Sequence, residues 1–319
     1  MTRFVLTFLA LTGCQSRITG NEGNFLFSYW ADDDIVDFNK PIAVNAFLDV
    51  EVREVGTQLP VTLTDASTDD PAVLDVTGFD SYVATVQGMG DGGALLSVAG
   101  TTAGGDALTD SVNLLARVPE VHVLGHTCTP DTTAGYLVDS EILVPYEFMM
   151  TNGQNVIGYG YYPVSTQAGA MTLVEADSSQ QFMAFTIGSA PASETLVSDL
   201  TGAAITMEIV DATSLDGVQE PLPFVGEDID VGDVNAFYVR PMVGDAVVCQ
   251  ADTLKTVVSD TPDICDVRDK PDGVGDPSTA YEYGWFEIEG VAEGTCLYTV
   301  TFTEGGAGAT AQFSYEIQP

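Results

Sequence analysis

From residue 25 onward, apolar and polar positions alternate in short runs, and a turn residue breaks the run every ~8–12 positions. Runs of this kind cover 42–52, 61–63, 82–86, 94–98 and 111–116. No segment keeps an i, i+3, i+4, i+7 apolar spacing over three turns, so strands are expected and long helices are not. Arg117-Val-Pro-Glu120 reads as a linker. Beyond it, about 119–217, further strands are expected at 142–148 and 156–162, flanking the hairpin dipeptide Asn152-Gly153, and at 171–175, 182–187 and 204–210. A Pro-rich joint at 220–224 opens a third segment. The fold class expected is all-β, with tandem sandwiches in which one face of each strand is buried.

The third segment repeats the first. Val44-Asn-Ala-Phe47 returns as Val234-Asn-Ala-Phe237, and Asp75-Val76 returns as Asp266-Val267. A Gly-punctuated hairpin, Gly88-Met-Gly-Asp-Gly-Gly-Ala94, returns as Gly290-Val-Ala-Glu-Gly-Thr-Cys296. No helix is expected after these glycines, so they read as a turn and not as a phosphate cradle. Order and spacing kept this well point to a duplicated domain, while the middle segment reads as a sandwich on its pattern alone. Ser67-x-x-Asp-Pro-Ala-Val-Leu-Asp-Val76 followed by Gly88…Gly93-Ala-Leu-Leu-Ser-Val98 resembles the bacterial immunoglobulin-like domains of group 2. The resemblance implies immunoglobulin-like sandwiches of roughly seven strands. It also implies the settings in which such domains occur: surface adhesins, envelope proteins and spacers on exported enzymes. It carries no catalytic residues.

The N-terminus reads as an address. Met1-Thr-Arg3 precedes a short apolar stretch, 4–11, far below the ~20 residues a spanning helix needs. It ends in Leu11-Thr12-Gly13-Cys14, which resembles the lipobox of bacterial lipoproteins. That resemblance implies cleavage before Cys14, a lipid on its sulfur, and attachment to the membrane through that anchor. Gln15 is not the Asp that retains such proteins at the inner membrane of enteric bacteria, so the outer membrane or cell surface is expected. The organisation read from the chain is a signal peptide over 1–13, a polar tether over 14–24, an Ig-like domain over 25–118, a divergent β-sandwich over 119–217, and a second Ig-like domain over 218–319.

Export to an oxidising compartment makes disulfides the natural fate of Cys128, Cys249, Cys265 and Cys296. The repeat sets Cys265 at the position of Leu74 and Cys296 at that of Ala94, both facing a core by alternation. Cys265–Cys296 with Cys128–Cys249 is therefore the pairing expected; Cys249–Cys265 with Cys128–Cys296 is its rival.

Composition narrows the partners. With 45% hydrophobic residues there is ample core material, but 9 Lys+Arg against 47 Asp+Glu leave a formal charge of −38. That surface repels nucleic acid and anionic headgroups. Oxygen-rich loops at Asp32, Asp33, Asp34 and Asp37, at Glu227, Asp228, Asp230 and Asp233, and at Asp266, Asp269, Asp272 and Asp276 are candidate calcium ligands, set against ordinary solvated surface. His122, His126 and Cys128 share strand parity and form a candidate copper or zinc set, against an ordinary strand end. Tyr281, Tyr283 and Trp285 form an aromatic stripe that could stack on sugar rings or a partner protein, or simply shield a contact. The sequence holds no Gly-x-Ser-x-Gly, His-Glu-x-x-His or Walker-type loop, and two histidines sitting together, four positions apart, leave little room for a Ser/His/Asp set. The function expected is non-enzymatic: a lipid-anchored spacer, adhesion or envelope-assembly module. Recognition of polysaccharide or calcium is the alternative, and a hydrolase comes last.

Overall fold

The computed structural model describes residues 17–30, 40–174, 182–223, 228–269, 284–304 and 306–319. Cys14, the acids at 32–37, Glu227, Asp272, Asp276, Tyr281 and Tyr283 lie outside them. Among the described residues helix is limited to two 3-10 turns, and everything else regular is strand.

Eight strands build the first sandwich: β1 (Phe25–Trp30), β2 (Ile42–Ala43), β3 (Phe47–Glu54), β4 (Thr62–Thr68), β5 (Leu74–Asp80), β6 (Val83–Gly88), β7 (Gly92–Thr101) and β8 (Ala107–Arg117). One sheet runs β1-β3-β6-β5, with Ile18–Thr19 added outside β1, and the other runs β2-β8-β7-β4. Alternation follows the chain closely; β7 alternates buried and half-buried residues along its length. Phe25, Phe27, Val50, Val86, Leu96 and Leu114 interleave between the sheets. Each such side chain removed from water contributes about 1.5–3 kcal/mol.

Eight strands build the second sandwich: β9 (Val121–Leu124), β10 (Thr133–Leu137), β11 (Glu141–Met149), β12 (Val164–Thr166), β13 (Met171–Val174), β14 (Phe182–Ile187), β15 (Ala192–Ser198) and β16 (Ala204–Val210). Eight build the third: β17 (Leu222–Pro223), β18 (Ile229–Asp230), β19 (Val234–Val239), β20 (Lys255–Ser259), β21 (Cys265–Asp269), β22 (Gly284–Gly290), β23 (Gly294–Glu304) and β24 (Ala307–Gln318), beside a small sheet of Gly217–Val218, Pro241–Val243 and Ala246–Val247. Their sheets run β9-β11-β14-β13 with β10-β16-β15-β12, and β17-β19-β22-β21 with β18-β24-β23-β20. All three sets share one strand order. In each, the short second strand pairs parallel with the last: β2 with β8, β10 with β16, β18 with β24. The middle segment, which its sequence does not align with the others, is thus the same topology a third time.

Backbone hydrogen bonds fix the equivalences. Asn45, Asp139 and Gly232 all have positive φ (77°, 54° and 93°), where Asn, Asp and Gly are tolerated. Each donates its N–H to the carbonyl of the glycine that ends or follows the sixth strand of its set: Gly88, Gly188 and Gly290. Side chains are excluded at two of these glycines. A Cβ on Gly88 would stand 2.5 Å from the Ala43 carbonyl oxygen, and one on Gly290 would stand 2.6 Å from that of Asp230. This frame corrects one sequence alignment. Phe47 pairs with Gln87 and Val234 pairs with Glu289, so Phe47 corresponds to Val234 and not to Phe237. The matching Val-Asn-Ala-Phe strings are three residues out of register, because the strand pairing and not the string decides which side chain faces the core.

Two compact units emerge. One holds the described residues up to Glu120 together with Phe148–Tyr161; the other holds Val121–Glu147 and the described residues from Tyr162 onward. The hairpin around Asn152-Gly153, placed by sequence in the second segment, therefore counts with the first sandwich, and Ile157 lies in that core. It closes the outer edge of β2. Ile157 donates to the Pro41 carbonyl (2.9 Å), Ala43 donates to that of Ile157 (2.8 Å), and Phe47 and Tyr159 exchange both bonds. The supposed linker is also engaged: Arg117 ends β8, and the Glu120 N–H donates to the Met149 carbonyl. Within the other unit, β10 is closed in the same way. Cys249 donates to the carbonyl of Gly135, the counterpart of Pro41, at 2.9 Å. The Gln250 amide then stands in for a strand, accepting from Leu143 N–H (3.3 Å) and donating to its carbonyl (3.1 Å).

Candidate functional site

Among the described residues, the third sandwich presents the same edge uncovered. The inner side of the segment at β18 is bonded to β24, where the Val231 N–H donates to the Gln318 carbonyl at 3.1 Å. The Asp228 carbonyl and Asp230 N–H, counterparts of the Pro41 and Ala43 groups, face outward and meet no partner among the described residues. Pro41, Ala43 and Ala46 are buried, whereas Asp228, Asp230 and Asp233 in the same places are exposed. Val231 (45% exposed) and Val234 (51%) replace the half-buried Val44 and Phe47. The described part of the 227–233 acidic loop is therefore this strand edge. Among the described residues, no three His, Cys, Asp or Glu side chains gather to hold a metal ion.

The other described acids of the candidate calcium set, Asp266 and Asp269, are engaged elsewhere. Asp269 pairs with Lys255 at 3.1 Å; the Lys255 side chain is 1% exposed, and its Nζ also donates to the Trp285 carbonyl. Arg268 bridges Asp266 and Glu289. The outward aromatic stripe fails at Trp285, which is 4% exposed. Its strand neighbour Tyr238 packs edge-on against it, ring centroids 5.5 Å apart, so both faces of β22 are covered there and no ring face is offered to a sugar.

His122, His126 and Cys128 serve separate ends. Cys128 is bonded to Cys249, and Cys265 to Cys296, each with Cα atoms 5.5 Å apart. His122 Nδ1 meets Ser198 Oγ (2.9 Å) and its ring packs edge-on against Tyr146. His126 Nδ1 meets the Tyr136 hydroxyl (3.0 Å). Burial pushes the His122 imidazole down to about 4, against the opposing charge of Asp199. Burial also lowers His126, opposed by the Thr132 backbone and Asp131. Both rings are therefore neutral at pH 7.

Two carboxylates that the sequence did not single out are more tightly built. Asp110 (2% exposed) accepts the N–H groups of Glu22, Asn24, Phe25 and Ser111, pinning the chain where it enters the first sandwich. Glu194 (0% exposed) accepts those of Gln167, Ala168, Ala170 and Thr195. Burial alone would raise the Glu194 carboxyl; the four donors outweigh it and hold the group below the ordinary carboxylate range. On the outer face of the β2-β8-β7-β4 sheet, Ser67, Ser97 and Ser111 stand directly opposite one another across three strands. They line an open depression of ≈ 310 Å³ with Glu22, whose carboxylate accepts from the Ser111 hydroxyl.

No protein-family profile matches the chain, and no curated protein matches it. Solved structures do. Surface layer protein SbsC, domains 4–9, is 14% identical over 92% of this chain, with a TM-score of 0.29. The chain spans 47% of that structure. FdeC, an Escherichia coli adhesin, is 11% identical over 88% of this chain and 95% of its own, at 0.26. Bacteroides ovatus SGBP-B, solved with a mixed-linkage heptasaccharide, is 9% identical over 88% of this chain and 66% of its own, at 0.25. Scores this low do not establish a shared fold; the immunoglobulin-like architecture rests on the strand order and pairing above.

Proposed function

We propose that this is an exported, lipid-anchored cell-envelope protein whose three immunoglobulin-like modules act as a non-catalytic spacer and assembly element. The observation that carries the reading is the pair of buried disulfides. All four disulfide cysteines are 3% exposed or less and sit in sandwich strands or their connections, an arrangement suited to an oxidising compartment. The lipobox-like Leu11-Thr12-Gly13-Cys14 supplies the route there and the anchor. The acidic surface supports display outward from anionic headgroups, with the lipid rather than the protein face holding the membrane. Metabolic labelling with a palmitate analogue tests it. The wild-type chain should carry the label and sediment with membranes, and Cys14→Ser should lose both properties. An unlabelled wild type, or label that survives Cys14→Ser, overturns the reading.

A further inference from the structure

Among the described residues, two of the three sandwiches have the outer edge of their short second strand closed by an extended segment, and the third does not. The closing segments bond alike. Ile157 and Cys249 each donate to the carbonyl at the equivalent position, Pro41 just before β2 and Gly135 within β10, and each segment runs parallel to the strand it covers, through Ile42↔Ile157 and Gly135↔Val248. At β18 the same two backbone groups, the Asp228 carbonyl and the Asp230 N–H, are presented with the same polarity. Val234 offers the apolar contact that Phe47 gives the first closing segment, where the Phe47 and Tyr159 rings lie 6.0 Å apart, and Val231 is exposed beside it. What differs is charge. Small or apolar Pro41, Ala43 and Ala46, and Gly135, Leu137 and Ser140, give way to Asp228, Asp230 and Asp233.

We propose that the outer edge of β18 is a docking site for an extended, lysine- or arginine-bearing segment of a partner polypeptide, added as a parallel strand. Strand addition satisfies the two outward backbone groups. The three carboxylates select the occupant, since cationic side chains on the added strand form charge-assisted bonds and acidic ones meet like charge at close range. A second copy of this chain is disfavoured. Its two known closing segments contain no Lys or Arg, and its sequence carries 47 acids against 9 cations. The inference rests on strand pairing and not on the lipid anchor, so it stands or falls separately from Cys14 labelling.

The test uses the full chain and a synthetic peptide with the sequence of residues 150–161, which seats on the β2 edge in this fold. Three versions are compared: unchanged, with Asn155→Lys and Tyr159→Lys, and with Asn155→Glu and Tyr159→Glu. The lysine peptide should bind at least about tenfold tighter than the unchanged one. Its amide shift changes should map to 228–234, and the glutamate peptide should not bind. Asp230→Pro, which deletes the outward N–H and leaves the β24 pairing, should remove binding. The double change Asp230→Lys and Asp233→Lys should transfer the preference to the glutamate peptide. Lysine-peptide binding unaltered by both variants marks general attraction to an acidic surface and overturns the proposal, as does the absence of binding by every peptide at millimolar concentration. A homodimer in sedimentation that Asp230→Pro abolishes also overturns it, by seating a second copy at the edge.

Discussion

At Glu194 a carboxylate with no exposed surface is stabilised by four backbone N–H groups, three of them from the turn entering β13. Truncation would leave those donors buried and unpaired, at ~1–3 kcal/mol for a buried group. Glu194→Ala should therefore lose about 3 kcal/mol or more in urea unfolding at pH 7, and a loss below ~1 kcal/mol would contradict this account. Because the folded-state pKa lies below the unfolded value near ~4.3, the carboxylate's contribution is complete well above that pH. It drains away as pH falls through the folded value. The gap between wild type and Glu194→Ala should accordingly narrow in acid. Nothing in the local sequence, Pro191-Ala-Ser-Glu194, distinguishes this residue from the many solvated acids around it; only its place relative to Gly188 does.

Among elements, one pair of positions is fastened in three ways. Leu74 and Ala94 are apolar neighbours in the first core, Ala170 N–H is bonded by the Glu194 carboxylate (2.7 Å), and Cys265 is bonded to Cys296. In all three the second member lies six residues after the equivalent glycine: Gly88, Gly188 or Gly290. Since Cys265 and Cys296 have Cα atoms 5.5 Å apart, the double variant Leu74→Cys with Ala94→Cys should close a disulfide without strain. A loop of about twenty residues is worth about 3 kcal/mol in the loop-entropy account. Free thiols by titration after air oxidation would refute the equivalence. Strand positions and the outer repeat were legible in the chain because alternation and glycine turns leave a period-two trace. The middle copy was not, because Ala192 stands where the other hairpins carry Gly92 and Gly294, and its turn from Gln167 to Ala170 is two residues shorter. Alternation left Trp285 open between an exposed stripe and a shielded contact, and its burial is the second: alternation records which face a residue is on, not whether that face has been covered from outside.

Over the whole molecule, 9 cations cannot neutralise 47 acids, and several cations are already committed: Arg53 to Glu51, Arg117 to Asp91, Lys255 to Asp269, Arg268 to Asp266 and Glu289. The net charge of −38 therefore acts as unrelieved self-repulsion in dilute buffer. The screening length shortens from ~30 Å at 0.01 M salt to ~3 Å at 1 M. Melting temperature should rise over that range by several degrees in calorimetry, and a flat or falling response would show that the repulsion is compensated locally. The site at β18 was legible in sequence only as a run of acids. That it is an edge left unclosed by the described residues emerges from comparison with two closed ones.

The hairpin at 148–161 also determines how the chain can be divided. A cut after residue 118 follows the apparent linker, yet it would strip Ile157 from the first core and lay bare the Ala43 and Phe47 backbone. The piece that could be excised, swapped or grafted intact is thus discontinuous along the chain: its closing strand is encoded some thirty residues beyond its last native strand.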